Sequence, residues 1–178
     1  GLGDVYKRQL DGDPSKSNSD YLLTIDADAY TPVDSTFMTT DEIVSVEGTD
    51  MDFRTPTAVG ARIDNDFEQL KNGKGYDHNW VLNTKGDITH PCATLESPST
   101  GIVLDVYTNE PGIQIYAGNF LDGTLTGKKG IVYGHRASVC LETQKYPDTP
   151  NKPEWPSALL KPGEKYDSHC IYRFSVKK

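Results

Sequence analysis

A chain of 178 residues is long enough for one domain with a real core and too short to suggest two. Ten Tyr, five Phe and two Trp supply large apolar surfaces, which argues against a disordered chain. A net charge of −8 with only five Arg argues against a nucleic-acid partner, which would need a basic patch, and no apolar run approaches the roughly 18 residues of a membrane span.

The first nine residues, GLGDVYKRQ, show neither helical nor strand periodicity and resemble a translated sequencing-adapter string. They are set aside from the fold as a non-native segment, so that the natural residues begin near Leu10. In YLLTIDADAYTPVD, Leu23, Ile25 and Ala27 alternate with Thr24, Asp26 and Asp28, the pattern of a half-buried strand running into a Pro turn. IVSVEGT (43–49) reads as a second short strand, and TPTAVGARIDNDFEQL (55–70) as the one helical patch, weak in period. GYDHNWVLN (75–83), PCATLESP (91–98) and GIVLDVYTN (101–109) follow as strands divided by Gly, Pro and Asn. In the last of these, Ile102, Leu104 and Val106 share one face, and Val103, Asp105 and Tyr107 the other. GIQIYAGN (112–119) sets Ile113 and Ile115 against Gln114 and Tyr116, and VCLETQ places Glu142 in an otherwise apolar or neutral strand-like run. The segment 145–165 holds five prolines and is too long for a hairpin turn, a length usual for functional or disordered loops. CIYRFSVKK closes the chain with Cys170, Tyr172, Phe174 and Val176 on one face. Strands recurring between turn signals, with almost no helix, predict an all-β, antiparallel sandwich or barrel.

Three cysteines without CxxC spacing predict buried free thiols rather than a zinc site or a disulfide framework. There is no phosphate loop, nucleophile elbow or metal-spaced His pair. What remains is a set of polar and aromatic groups at strand ends: Asp77, His78, Trp80, Gln114, Tyr116, Asn119, Glu142 and Gln144. Carboxylates and amides hydrogen-bond hydroxyls, and aromatic planes pack on the C–H face of a pyranose, so the set suits a sugar. Each also has a plainer reading. Asp77 can be a turn residue, His78 a core or turn histidine, and Gln114 and Glu142 the wet face of a sheet.

Five stretches carry a resemblance: VEGTDMDFRTP (46–56), GYDHNWVLN (75–83), PGIQIYAGNFLDG (111–123), HRASVCLETQKYPDTPNKP (135–153) and LLKPGEKYDSHCIYRFSV (159–176). In this order they resemble the C-terminal half of the aldose 1-epimerase (galactose mutarotase) family. The resemblance implies a large antiparallel β-sandwich, truncated at its N-terminus, with a sugar cleft on one sheet. It implies a cofactor-free interconversion of the α and β anomers of free aldohexoses such as galactose and glucose. In that chemistry a carboxylate takes the proton from the anomeric hydroxyl and a histidine protonates the ring oxygen, so that the ring opens and recloses on its other face.

Matched to the family's segments, Glu142 is the expected base, and Asp77 and Gln114 the expected ligands of sugar hydroxyls. His78, Tyr116 and Asn119 are further cleft candidates, with His78 more suited to a supporting role than to that of the ring-oxygen acid. The family's acid histidine precedes the position of Leu10, so residues 10–178 are expected to hold the base without the acid and to be inactive. Lost strands would also leave unpaired edges and an uncovered core face, favouring aggregation. The expected partner is a monosaccharide, the assembly a monomer or weak dimer, and the compartment the cytoplasm unless a leader directs the protein to the periplasm or outside. A non-catalytic carbohydrate-binding sandwich and a hexose-phosphate epimerase are the competing readings, the second needing a basic cluster.

Overall fold

The computed structural model describes residues 7–8, 10–12, 16–127 and 130–177. They form two antiparallel sheets around one core, as the alternating runs predict. The strands are β1 (Lys7–Arg8), β2 (Leu22–Ile25), β3 (Ala29–Thr31), β4 (Val44–Ser45), β5 (Thr57–Ala58), β6 (Asp77–Val81), β7 (Ala93–Glu96), β8 (Ile102–Thr108), β9 (Gly112–Tyr116), β10 (Val139–Gln144) and β11 (Cys170–Val176). A six-stranded sheet runs β1-β10-β9-β6-β3-β4, and a five-stranded sheet runs β11-β8-β7-β2-β5. Of the segment set aside as adapter-like, Lys7 and Arg8 pair with Cys140 and Val139; its other residues lie outside the described ones.

The run that reads as one strand over 21–34 is two strands, one in each sheet. Asp26–Asp28 carry the chain across, tied by Asp26 N–H to Cys92 C=O and by Asn83 N–H to Asp26 C=O. The helical patch also divides. Thr57–Ala58 join β2, Val59–Ala61 make a 3₁₀ turn, and one short helix, α1, runs Glu68–Gly73. Gly60 in that turn packs closely on Ser19, where a methyl group would sit 2.6 Å from the Ser19 side chain. The packing demands a strand-and-turn path where propensity alone allows helix.

Period-two alternation places the core. Trp80, Ile113, Ile115 and Leu141 from the six-stranded sheet meet Leu23, Ile25, Leu95 and Leu104 from the other, all fully buried together with Tyr21, Tyr76, Phe53 and Met51. Trp80 donates its indole N–H to Met51 C=O at 3.0 Å, so its polar edge is satisfied inside the core. Cys92 and Cys140 are buried free thiols as expected, but Cys170 is exposed. It lies on β11, where Cys170, Tyr172, Phe174 and Val176 pair with Thr108, Val106, Leu104 and Ile102 and share their face. Phe174 and Val176 nevertheless stand 56% and 65% exposed. The face is the predicted one, but on β11 the described residues leave Cys170, Phe174 and Val176 uncovered. Tyr172 reaches inward and donates its hydroxyl to Leu141 C=O at 2.6 Å.

Candidate functional site

On β10, β9 and β6 the residues that do not enter the core form one polar face. In register across the three strands, Glu142 faces Gln114, and Gln114 faces Asn79; one step along, Cys140 faces Tyr116, and Tyr116 faces Asp77. Paired residues on neighbouring strands point to the same side, so Asp77, Gln114, Tyr116 and Glu142 come together although they span 66 positions of sequence.

Gln114 Nε2 donates to Asp77 Oδ1 at 2.8 Å. Burial pushes the Asp77 carboxyl above its ordinary range, and the Gln114 hydrogen bond holds it back. Glu142 is half-buried and is likewise pushed up, first by burial and then by the negative charge of Asp77, while a hydrogen bond with Cys140 opposes the rise. Two carboxyls on one half-desolvated face, both with raised proton affinity, are an arrangement suited to proton transfer.

An aromatic wall borders this face. The Tyr116 ring stacks on Phe120 with centroids 6.1 Å apart and planes 13° apart, and Phe37 meets Phe120 edge-on at 5.6 Å. The Tyr116 hydroxyl accepts the Phe120 N–H at 3.0 Å, which ties the turn after β9 to the strand. At the other end of the face the Pro-rich loop folds inward. Tyr146 packs edge-on against Trp155 at 5.7 Å, and Thr149–Asn151 form a 3₁₀ turn. A cavity of about 500 Å³ opens beside this loop, lined by Glu110, Gln144, Lys145 and residues 157–160 and 165–167. Glu142, Asp77 and Gln114 do not line it, so the polar row is an open sheet face and the cavity is a neighbour of it.

Two of the cleft candidates lie elsewhere. His78 is fully buried on the core side of β6, its Nδ1 accepting the Asp77 N–H at 3.1 Å, and burial lowers its pKa to about 4. It is a neutral core histidine. Asn119 is buried in the turn after β9, where its amide nitrogen donates to Gly73 and Tyr76 carbonyls at 3.2 and 2.9 Å. It ties α1 to that turn. Asn79 and Phe120 belong to the face or its rim and were not among the sequence candidates. The alternation in Asp77-His78-Asn79-Trp80 carries the signal for Asn79, since Asn79 must share the side of Asp77. Trp80 is core.

Comparison with known proteins settles the family. The family model for aldose 1-epimerase matches residues 9–173. Galactose mutarotase from Homo sapiens is 45% identical over 167 residues, 94% of this chain and 47% of its own length. The chain belongs to the aldose 1-epimerase family. The aldose 1-epimerase of Escherichia coli K12 is 40% identical over 167 residues, covering 93% of this chain and 47% of that protein. Among solved structures, galactose 1-epimerase from Lactobacillus acidophilus superposes with a TM-score of 0.76 at 31% identity, covering 92% of this chain and 46% of that one. An aldose epimerase homologue from C. elegans gives 0.77 at 28% identity, covering 96% and 49%. The chain therefore has the family's two-sheet fold, and it spans about half the length of the curated relatives it matches.

Proposed function

We propose that residues 10–178 carry the proton-accepting half of an aldohexose mutarotation site. In this reading Glu142 is the base, taking the proton from the anomeric hydroxyl of galactose or glucose. Asp77 and Gln114 hold neighbouring hydroxyls, and the Tyr116–Phe120 wall takes the C–H face of the ring. The observation that supports it most is the single polar face uniting Glu142, Gln114 and Asp77, with both carboxyls drawn upward in proton affinity. A carboxylate raised toward the working pH is a better base than one left at its ordinary value.

Opening the ring also needs an acid at the ring oxygen. His78 is neutral and on the core side of β6. His90, His135 and His169 lie in the segments leading into β7, β10 and β11, outside the row that Asp77, Gln114 and Glu142 form on β6, β9 and β10. We therefore place the acid in the part of the family's length that this chain does not span, and the chain alone is expected to bind sugar weakly without turning it over. The test is a galactose titration followed by NMR, paired with polarimetry of freshly dissolved α-galactose. Expected are shifts at the Gln114 side-chain amide and a mutarotation rate no faster than buffer. Absence of any response at Gln114, Asp77 and Glu142 at high millimolar galactose would overturn the sugar reading.

A further inference from the structure

Gln144 follows Glu142 by two residues on the same face of β10 and stands opposite Gly112 of β9. Because Gly112 has no side chain, the Gln144 amide reaches across β9. Its Nε2 donates to Gln114 Oε1 at 3.2 Å and to Asn79 Oδ1 on β6 at 3.3 Å. A methyl group at Gly112 would come within 2.4 Å of Asn79 Oδ1 and 2.9 Å of the Tyr146 ring. Gly112 lies outside the left-handed region, so what this position requires is space rather than conformational freedom.

The hydrogen-bond polarity of the chain of groups is determined at one end. An ionised carboxylate only accepts, so Asp77 can take Gln114 only through its amide nitrogen. That turns Gln114 Oε1 toward Gln144, which can meet it only with its own nitrogen. Flipping Gln114 would set an oxygen against the Asp77 carboxylate and two N–H groups against each other. Gln144, Gln114 and Asp77 thus satisfy one another in a single sense, with Asn79 taking the other Gln144 N–H.

We infer that Gln144 is a positioning residue: acting through Gln114 Oε1, it holds the Gln114 amide with its nitrogen toward Asp77, leaving the second N–H for a ligand oxygen on the face that carries Glu142. The ligand in this statement rests on the sugar-site reading; the relay itself does not.

The test uses the 178-residue chain. The Asp77 carboxyl is titrated by ¹³C NMR in the wild type and in Gln144→Met, and again with both on a Gln114→Met background. Glu142 and Tyr116, the titratable groups coupled to Asp77, are unchanged throughout. Loosening Gln114 weakens the hydrogen bond that favours the ionised carboxyl, so Gln144→Met should raise the Asp77 midpoint by about half a unit or more. On the Gln114→Met background it should add nothing, because the effect has lost its carrier. The Trp80 indole N–H signal reports whether the core is intact, and if Gln144→Met loses it, Gln144→Asn, which keeps the amide but shortens its reach, is read in the same way. An unmoved Asp77 midpoint, or a shift that persists without the Gln114 amide, would overturn the inference. A relay that responds as expected in a chain that ignores galactose supports the positioning role and counts against the sugar reading.

Discussion

Leu23, Leu95, Leu104 and Phe174 lie side by side across β2, β7, β8 and β11 of one sheet. The first three are 0% exposed, whereas Phe174, one strand further on, is 56% exposed. On the other sheet the corresponding side is closed at β10: Leu141 is 0% exposed, with the hydroxyl of Tyr172 on its carbonyl. Strand alternation and pairing decide which way a side chain points, but burial requires a second layer. The polar face of β10, β9 and β6 shows the same division, because alternation puts Glu142, Gln114 and Asp77 together and partial burial then alters their proton affinities.

The largest expected effects separate the two ends of the five-stranded sheet. Leu104→Ala should cost about 2–5 kcal/mol in urea unfolding, the range for opening a cavity in a packed core. Phe174→Ala, its register partner, should stay within about 0.5 kcal/mol, as an exposed position does. Equal losses at the two sites would show that β11 is covered in solution, for instance by a second copy. Phe174→Lys should then reduce self-association in light scattering, since it breaks an exposed apolar strand at a sheet edge.

A second contrast is acid–base. Burial lowers the pKa of His78 from 6.5 to about 4. Between these values the unfolded chain binds a proton that the folded chain refuses. The His78 contribution to stability is therefore complete above about pH 6.5 and declines as pH falls toward 4, by about 3 kcal/mol in all. His78→Phe should flatten that decline in unfolding curves measured across the window. Glu142 and Asp77 carry the opposite sign. Their folded pKa values are raised, so the folded chain binds protons more readily than the unfolded one, and stability drops as pH rises past their unfolded values. Glu142→Gln should consequently raise the urea midpoint at pH 7 relative to wild type, by less than the His78 effect. A lower midpoint would mean that the carboxylate serves the fold rather than a ligand.

Much of this was legible in the residues. Period-two runs gave the antiparallel class and the facing of Ile113, Ile115 and Gln114, and the five matched stretches pointed to the family. Other features depend on contacts between distant segments. The division of 21–34 between two sheets follows from what Asp26 meets in Cys92 and Asn83. The burial of Asn119 follows from the carbonyls of Gly73 and Tyr76. Cys170 and Phe174 are apolar by pattern and exposed by position. The reach of Gln144 over Gly112 becomes visible only once the register of β10, β9 and β6 is known.

The central claim, that Glu142 is the base, is tested most directly in a family-length chimera in which residues 10–178 replace the matching half of human galactose mutarotase. Polarimetric decay of fresh α-galactose should be catalysed by the chimera and slowed roughly 10²- to 10⁴-fold by Glu142→Gln, the usual contribution of a general base. Undiminished mutarotation in a folded Glu142→Gln chimera would contradict the account.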